Sequence, residues 1–64
     1  MMNNKINMLT VKDLQTELGI GRDSAYALVH NKSFPSIKIG GRYLVEKEAL
    51  QHWLIVNRGR EIAL

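Results

Sequence analysis

The fold is decided by residues 10–30, TVKDLQTELGIGRDSAYALVH, in which two short amphipathic segments are separated by glycines. Thr10 is typical of a helix N-cap, because its hydroxyl can accept a hydrogen bond from the backbone N–H of Asp13. The Asp13 carboxylate also favours a helix N-terminus. We therefore predict a helix over residues 11–18, ended by a left-handed Gly19. Its apolar residues recur on one face: Val11, Leu14 and Leu18.

The second segment, residues 22–31, predicts a helix with two different faces. Its apolar residues recur at i, i+3 and i+4 and are expected to face the core: Ala25, Leu28 and Val29. The opposite face carries hydrogen-bonding groups around one small residue, with Arg22 at its leading edge: Asp23, Tyr26, Ala27 and His30. A face that is only solvated more often carries Lys and Glu at i, i+4, so this face is a candidate binding surface.

The following residues predict a loop, a hairpin and a third helix. Pro35 ends the second helix because it pushes Phe34 into extended geometry, and Phe34 is expected in the core. The last predicted helix, residues 46–56, carries acidic residues in its first turn. Its predicted buried stripe is Ala49, Leu50, Trp53 and Leu54.

The hairpin turns at Gly40-Gly41, and two registers are compatible with its sequence. A two-residue turn places Leu44 beside Ile37 on the inner face. A three-residue loop with a bulge makes two other pairs: Tyr43 with Ile39, and Val45 with Ile37. We favour the second register, because it buries an aromatic and a β-branched residue together.

Composition limits what so short a chain can do. Its 64 residues allow one domain, and with no cysteine and only two histidines it has neither disulfides nor a metal cluster to support the core. No apolar run approaches the ~20 residues of a membrane span, and residues 1–8 lack a secretory signal, so a cytoplasmic location is expected. An enzyme is not expected, because the chain shows no nucleophile-base-acid set and no glycine-rich phosphate loop.

The net charge of +3 is concentrated in the middle of the chain. Residues 1–21 and 43–64 are each neutral. The stretch between them carries four cations and one carboxylate: Arg22, Lys32, Lys38 and Arg42 against Asp23. Such a concentration is typical of a face that meets a polyanion, and a solvated basic surface is the alternative.

Two helices joined by a short glycine-containing turn have the spacing of a helix-turn-helix. With the proline-containing loop, glycine-tipped hairpin and further helix that follow, the chain resembles the excisionase-type helix-turn-helix family, a winged-helix branch related to the MerR regulators. The matching motifs are Leu9-Thr10-Val11, Leu18-Gly19-Ile20, Ala25-Tyr26, Leu28-Val29, Phe34-Pro35, Lys38-Ile39-Gly40, Arg42-Tyr43, and Leu50 with Trp53-Leu54. The chain departs from the general helix-turn-helix pattern at Gln15, where a small residue is usual. It departs from the family pattern at Gly21 and Glu46, where serine and proline are usual.

The resemblance implies an α+β, mostly helical fold: a small winged helix-turn-helix of three helices, with a two-stranded hairpin, the wing, between the second and third. Residues 1–8 are then expected to be a flexible N-terminal tail, residues 9–56 the DNA-binding domain and residues 57–64 a C-terminal tail. Ile62 and Leu64 of that tail could either pack on the domain or fray.

In function, the resemblance implies a non-enzymatic protein of a mobile element or prophage. Such a protein binds and bends double-stranded DNA and assists an integrase in excision, or is a related small transcriptional regulator. Further copies of the protein are expected on the DNA. The resemblance implies no cofactor, no membrane association and no small-molecule substrate. The alternative from a different class is a protein-interaction module in which Tyr26, Ala27 and residues 62–64 bind another protein.

The expected DNA contacts lie on the second helix and on the wing. The helix region would present one set of side chains to the major groove and its flanking phosphates: Arg22, Asp23, Ser24, Tyr26, Ala27, His30 and Lys32. The wing would present a second set of residues to phosphate or to a narrow minor groove: Lys38, Gly40, Gly41 and Arg42. Tyr26 could instead be a packing residue, and His30 a plain C-terminal cation. Lys12 could reach a phosphate, although a solvated Lys12 is favoured.

Overall fold

The computed structural model describes residues 6–64, in which three helices pack with a three-stranded antiparallel sheet. In chain order the elements are β1 (Met8–Thr10), α1 (Val11–Leu18), α2 (Arg22–Val29), β2 (Ser36–Ile39), β3 (Arg42–Glu46) and α3 (Lys47–Val56). The predicted winged helix-turn-helix architecture is confirmed, with the β2–β3 hairpin between α2 and α3. Residues 1–5 of the predicted N-terminal tail lie outside the described residues. Among residues 6–64, no helix is long and apolar enough to cross a membrane.

α1 begins and ends where the sequence predicts. The Thr10 hydroxyl accepts a hydrogen bond from the Asp13 N–H at 3.1 Å, and the Asp13 carboxylate accepts one from the Thr10 N–H at 3.0 Å. This reciprocal capping box satisfies two N–H groups at the start of the helix. Gly19 follows the last turn with φ 65° and ψ 38°, a left-handed conformation in which a residue with a Cβ would be strained.

α2 ends at Val29, slightly before the predicted end, because the next residues form their own turn. The side-chain oxygen of Asn31 accepts hydrogen bonds from the Ser33 N–H and the Ser33 hydroxyl, both at 2.9 Å. Such local side-chain bonds compete with a continuing helix. The Val29 carbonyl accepts a hydrogen bond from the Ser36 hydroxyl at 2.6 Å instead, which ties the end of α2 to the start of β2.

β1 is a strand that the sequence pattern does not predict. It pairs with β3, with Leu9 opposite Val45, and β3 becomes the central strand of the sheet. The Lys47 N–H donates to the Asn7 carbonyl at 2.9 Å, next to this pairing. Met8, assigned to the N-terminal tail from the sequence, therefore belongs to the sheet. Three residues directly before a helix N-cap are too few to show an alternating pattern.

The favoured hairpin register is wrong. Ile39 pairs with Arg42, so Gly40 and Gly41 alone form the turn, with φ of 59° and 80°. Two adjacent glycines accept positive φ at both central positions, as a type I′ turn requires, and the strands need no bulge.

This register changes which side chains face the core. The inner face carries two cross-strand pairs: Tyr43 with Lys38, and Val45 with Ser36. Ile37 lies opposite Leu44, as a two-residue turn requires, but this pair is on the outer face of the sheet. Ile37 and Ile39 are consequently 50% and 57% exposed. The expectation that Ile37 points inward is therefore also wrong.

The core combines residues from both helices of the helix-turn-helix with residues from β3, α3 and the α2–β2 loop. Its buried members are Leu14, Ala25, Leu28, Val29, Phe34, Val45, Leu50 and Trp53. The predicted inner face of α2 and the core position of Phe34 are confirmed. Phe34 meets Trp53 edge to face, with 5.0 Å between the ring centroids, an arrangement that aromatic rings favour.

The last turn of α3 lies at the edge of this core. The prediction that Leu54 is buried is wrong, because α3 buries only the narrow stripe of Leu50 and Trp53. Leu54 is 40% exposed. Ile62 of the C-terminal segment packs against the core, whereas Leu64 is exposed.

Candidate nucleic-acid interface

α2 turns a polar face outward while its other face is buried. The exposed members are Arg22, Asp23, Tyr26 and, just after the helix, His30; the half-buried members are Ser24 and Ala27. Tyr26 is 40% exposed, so the structure does not place it in the core. Lys32 is exposed in the loop that follows the helix.

Arg22 and Tyr26 lie one helical turn apart and contact each other. Arg22 Cζ is 5.5 Å from the centroid of the Tyr26 ring, within the range of a cation–π interaction. The ring restricts the guanidinium, and the exposed Arg22 keeps donors open to solvent. A guanidinium held in this way can donate two parallel hydrogen bonds to a phosphate or to the edge of a guanine.

The tip of the wing is small and flanked by cations. Lys38, Gly40, Gly41 and Arg42 are all exposed. A Cβ at either glycine would meet no atom within 4 Å, so the positive φ values, and not crowding within the protein, account for these glycines. A tip without side chains can approach another molecule closely, with Lys38 and Arg42 on either side of it.

Tyr43 connects the wing to α2. The Tyr43 ring centroid lies 4.7 Å from the His30 ring centroid, and Lys38 Nζ lies 5.4 Å from the Tyr43 ring centroid. We call His30, Tyr43 and Lys38 the aromatic bridge. His30 is also fixed by α2, because its Nδ1 lies 2.7 Å from the Tyr26 carbonyl oxygen. A carbonyl can only accept, so Nδ1 carries the hydrogen and Nε2 remains for other partners.

Tyr43 is a candidate site residue that the sequence reasoning missed, because it was given only a packing role. It is half-buried and packs against the core. In the observed register it lies directly opposite Lys38. The pairing of an aromatic with a lysine across a two-residue turn was the available signal, but it depends on choosing that register.

A groove of about 410 Å³ lies between the start of α1, the outer face of α2 and the wing. We call it the wing groove. Its lining includes Thr10, Lys12, Tyr26, Gly41, Arg42 and Tyr43. The groove thus brings Lys12, which is distant in sequence from the wing, to the same place as Arg42 and Tyr26.

Two of the carboxylates line a different part of the described surface. Glu46 and Glu48 line a separate cavity of about 210 Å³ with Ile6 and Asn7. Positive charge and phenol rings therefore share the wing groove, while these acidic groups lie elsewhere. Within residues 6–64, no group of three or more His, Cys, Asp or Glu side chains could hold a metal ion.

Comparison with known proteins identifies a family for this chain and no individual relative. No curated protein and no solved structure matches the chain. A family model described as a helix-turn-helix domain matches residues 8–55, from the first residue of β1 to the last turn of α3. This match supports DNA binding, and because it extends over most of the sequence, the chain belongs to the helix-turn-helix domain family.

Proposed function

We propose that this protein is a sequence-specific accessory protein that binds double-stranded DNA, with α2 in the major groove and the wing on the adjacent minor groove or backbone. One observation carries the proposal. The exposed face of α2 and the wing form a connected surface, because the aromatic bridge joins His30 to Lys38 and one groove is lined by both Tyr26 and Arg42. Scattered solvated charges would not need this connection.

The dimensions and chemistry of α2 suit the major groove. Its eight residues span about 12 Å, and the groove is about 12 Å wide. Arg22 can bind a guanine edge or a phosphate, and the Tyr26 hydroxyl can donate to a phosphate. His30 Nε2 is an acceptor while Nδ1 carries the hydrogen, so it can accept a hydrogen bond from a base amino group in the major groove. Ala27 is small enough to let the helix approach closely, or to contact a thymine methyl group. The remaining proposed contacts of this region are Asp23, Ser24 and Lys32.

The wing suits the neighbouring minor groove. The two-residue tip, Gly40 and Gly41, is narrow enough to enter or to border that groove. Lys38 and Arg42 then lie where they can bind phosphates on either side of the tip, or the negative potential of a narrow minor groove.

The biological setting we propose is excision of a mobile element or prophage in the bacterial cytoplasm, where the protein binds attachment-site DNA and assists an integrase. The element order that resembles excisionases supports this setting, and so does the small size. One module of this kind buries about 600–1,000 Å² on DNA, which is little for tight specific binding. Several copies on adjacent sites, with the DNA bent between them, would supply the missing affinity.

Two other functions remain to be separated from this one. A small transcriptional regulator would use the same DNA contacts without affecting excision, so an excision assay with purified integrase distinguishes the two. A protein-interaction module is favoured by the half-exposed Ile37 and Ile39 on the outer face of the sheet. Binding through such apolar residues does not weaken with salt as DNA binding does.

The direct test is fluorescence anisotropy with a duplex from around the protein's own gene and a scrambled duplex, over a series of salt concentrations. We expect preference for the native duplex and a log–log salt slope of roughly −3 to −5, equivalent to about four phosphate contacts. A native duplex that also changes trajectory on binding supports the bending role. The absence of binding to either duplex at low salt would exclude DNA binding and favour the protein-interaction module.

Arg42→Ala tests the wing within the same assay. Loss of one phosphate contact should weaken binding to both duplexes and reduce the magnitude of the salt slope by about 0.9. Arg60→Ala is the matched control, because Arg60 is exposed in the segment after α3, outside the proposed surface. Equal slopes for both variants would show that Arg42 acts only through net charge.

A further inference from the structure

The wing groove contains a lysine from α1, an element to which the proposed function assigns no DNA contact. Lys12 of α1 and Arg42 of β3 line this groove together with Tyr26 of α2. We propose that the wing groove binds one backbone phosphate of the DNA through these three side chains, an inference that rests on the proposed function. α1 is then a third DNA-contacting element.

The position of the groove follows from the structure of a duplex. A single sugar-phosphate strand separates the major groove from the adjacent minor groove. If α2 occupies the first and the wing tip occupies the second, that strand has to pass between α2 and the wing. The wing groove is the space between these two elements, with Tyr26 on one side and Gly41 and Arg42 on the other.

The chemistry of the lining matches a phosphodiester. An ammonium, a guanidinium and a phenol are all donors, and hydrogen bonds from the two cations to phosphate are charge-assisted. In the part of the chain that the structure describes, no carboxylate lines the groove. Asp13 follows Lys12 in sequence, but its carboxylate accepts the Thr10 N–H in the helix cap. A phosphate in the groove would therefore meet two cations.

The volume of the groove is sufficient for this ligand. About 410 Å³ corresponds to roughly 14 water molecules at ~30 Å³ each. A phosphate group with bridging waters fits this space. Tyr43 forms part of the lining and is held by the aromatic bridge, so the wing side of the groove has a defined position relative to α2.

The test combines protein variants with duplexes in which single phosphates are replaced by neutral methylphosphonates. Wild-type protein should lose affinity at each contacted phosphate. Lys12→Gln should bind both unmodified duplexes about fivefold more weakly. Its salt slope should fall by less than the ~0.9 of one whole phosphate contact, because Arg42 still contacts the shared phosphate. Lys12→Gln should also lose part of its sensitivity to methylphosphonate at one position on the strand between the two grooves, and Arg42→Gln should lose part of its sensitivity at the same position.

Two further variants serve as controls. Lys47→Gln removes the same charge from α3, and Lys47 does not line the groove, so this variant should keep the wild-type response at every methylphosphonate position. Lys12→Arg retains a cation and should restore the sensitivity that Lys12→Gln loses. Thermal unfolding of Lys12→Gln should match the wild type, because Lys12 is exposed.

Different failures have different meanings. If wild-type protein binds neither duplex, the proposed function fails and this inference fails with it. If wild-type protein binds DNA but Lys12→Gln keeps its affinity and its methylphosphonate pattern, only the inference is overturned. Loss of sensitivity at separate phosphates for Lys12→Gln and Arg42→Gln would also overturn it, because one shared phosphate is required.

A free anion is the other possible source of the same chemistry. Inorganic phosphate is titrated at constant ionic strength, and the NMR shifts of Lys12 and Arg42 are followed. We expect these NMR shifts not to saturate below millimolar phosphate, because one exposed phosphate contact is weak without the other contacts that DNA makes. Saturation in the micromolar range would overturn the assignment to DNA and indicate a site for a free anion.

Discussion

Tyr43→Leu is the substitution that most directly tests the connection between the wing and α2. Leucine can still fill the half-buried position against the core, but it loses the ring that contacts His30 at 4.7 Å and Lys38 at 5.4 Å. An aromatic pair contributes about 0.5–1.5 kcal/mol, and an exposed cation–π contact about 0.5–1 kcal/mol. We expect the free energy of unfolding to fall by about 1–2.5 kcal/mol.

A double-mutant cycle with His30→Ala measures how much of this loss in unfolding free energy comes from the contact between the Tyr43 and His30 rings. Urea unfolding is followed by the fluorescence of Trp53, the single tryptophan, which is buried beside Phe34. If the rings interact, the two substitutions together should cost about 0.5–1.5 kcal/mol less than the sum of their separate effects. Residues that do not interact are additive within about 0.3–0.5 kcal/mol. A coupling below about 0.3 kcal/mol would refute the bridge as an energetic link.

Three other substitutions test the remaining parts of the interface and the fold. Tyr26→Ala should weaken DNA binding in the anisotropy assay while leaving the thermal midpoint nearly unchanged, because Tyr26 is exposed; a large fall in the midpoint would show that Tyr26 is a core residue. Gly41→Ala should destabilise the hairpin by about 1–2 kcal/mol in urea unfolding, since φ is 80°, whereas Gly40→Asn, at a φ of 59°, should be neutral or slightly stabilising. Leu14→Ala removes a fully buried side chain and should cost about 2–5 kcal/mol, enough to abolish the folded circular dichroism signal of so small a domain.

The parts of the fold that local signals determine were predictable from the sequence. α1 has both of its ends encoded within a few residues, by the Thr10 and Asp13 capping box and by Gly19. The inner face of α2 follows from helical spacing alone. These signals need no knowledge of the rest of the chain, because the interacting groups are at most one or two helical turns apart.

The parts that depend on distant residues were not predictable. β1 exists because β3 supplies its hydrogen-bonding partners, so its three residues carry no pattern of their own. The bulged hairpin register was favoured because it buries an aromatic and a β-branched residue together, whereas the two-glycine turn leaves Ile37 and Ile39 half exposed. The aromatic bridge and the wing groove both follow from this register. For that reason, neither the site role of Tyr43 nor the position of Lys12 and Arg42 on one groove could be derived from the sequence.

The small size of the domain affects how every variant of the interface has to be interpreted. α2 uses one face for the core and the other for the proposed DNA contacts, and Tyr43 belongs to both the core packing and the bridge. A domain of this size has only about 3–5 kcal/mol of stability from its core. If the free energy of unfolding of a variant is still about 1 kcal/mol, roughly 85% of its molecules are folded, because RT is about 0.6 kcal/mol. Unfolding then lowers the apparent affinity less than about 1.3-fold, so a fivefold loss in a folded variant has to come from the interface itself.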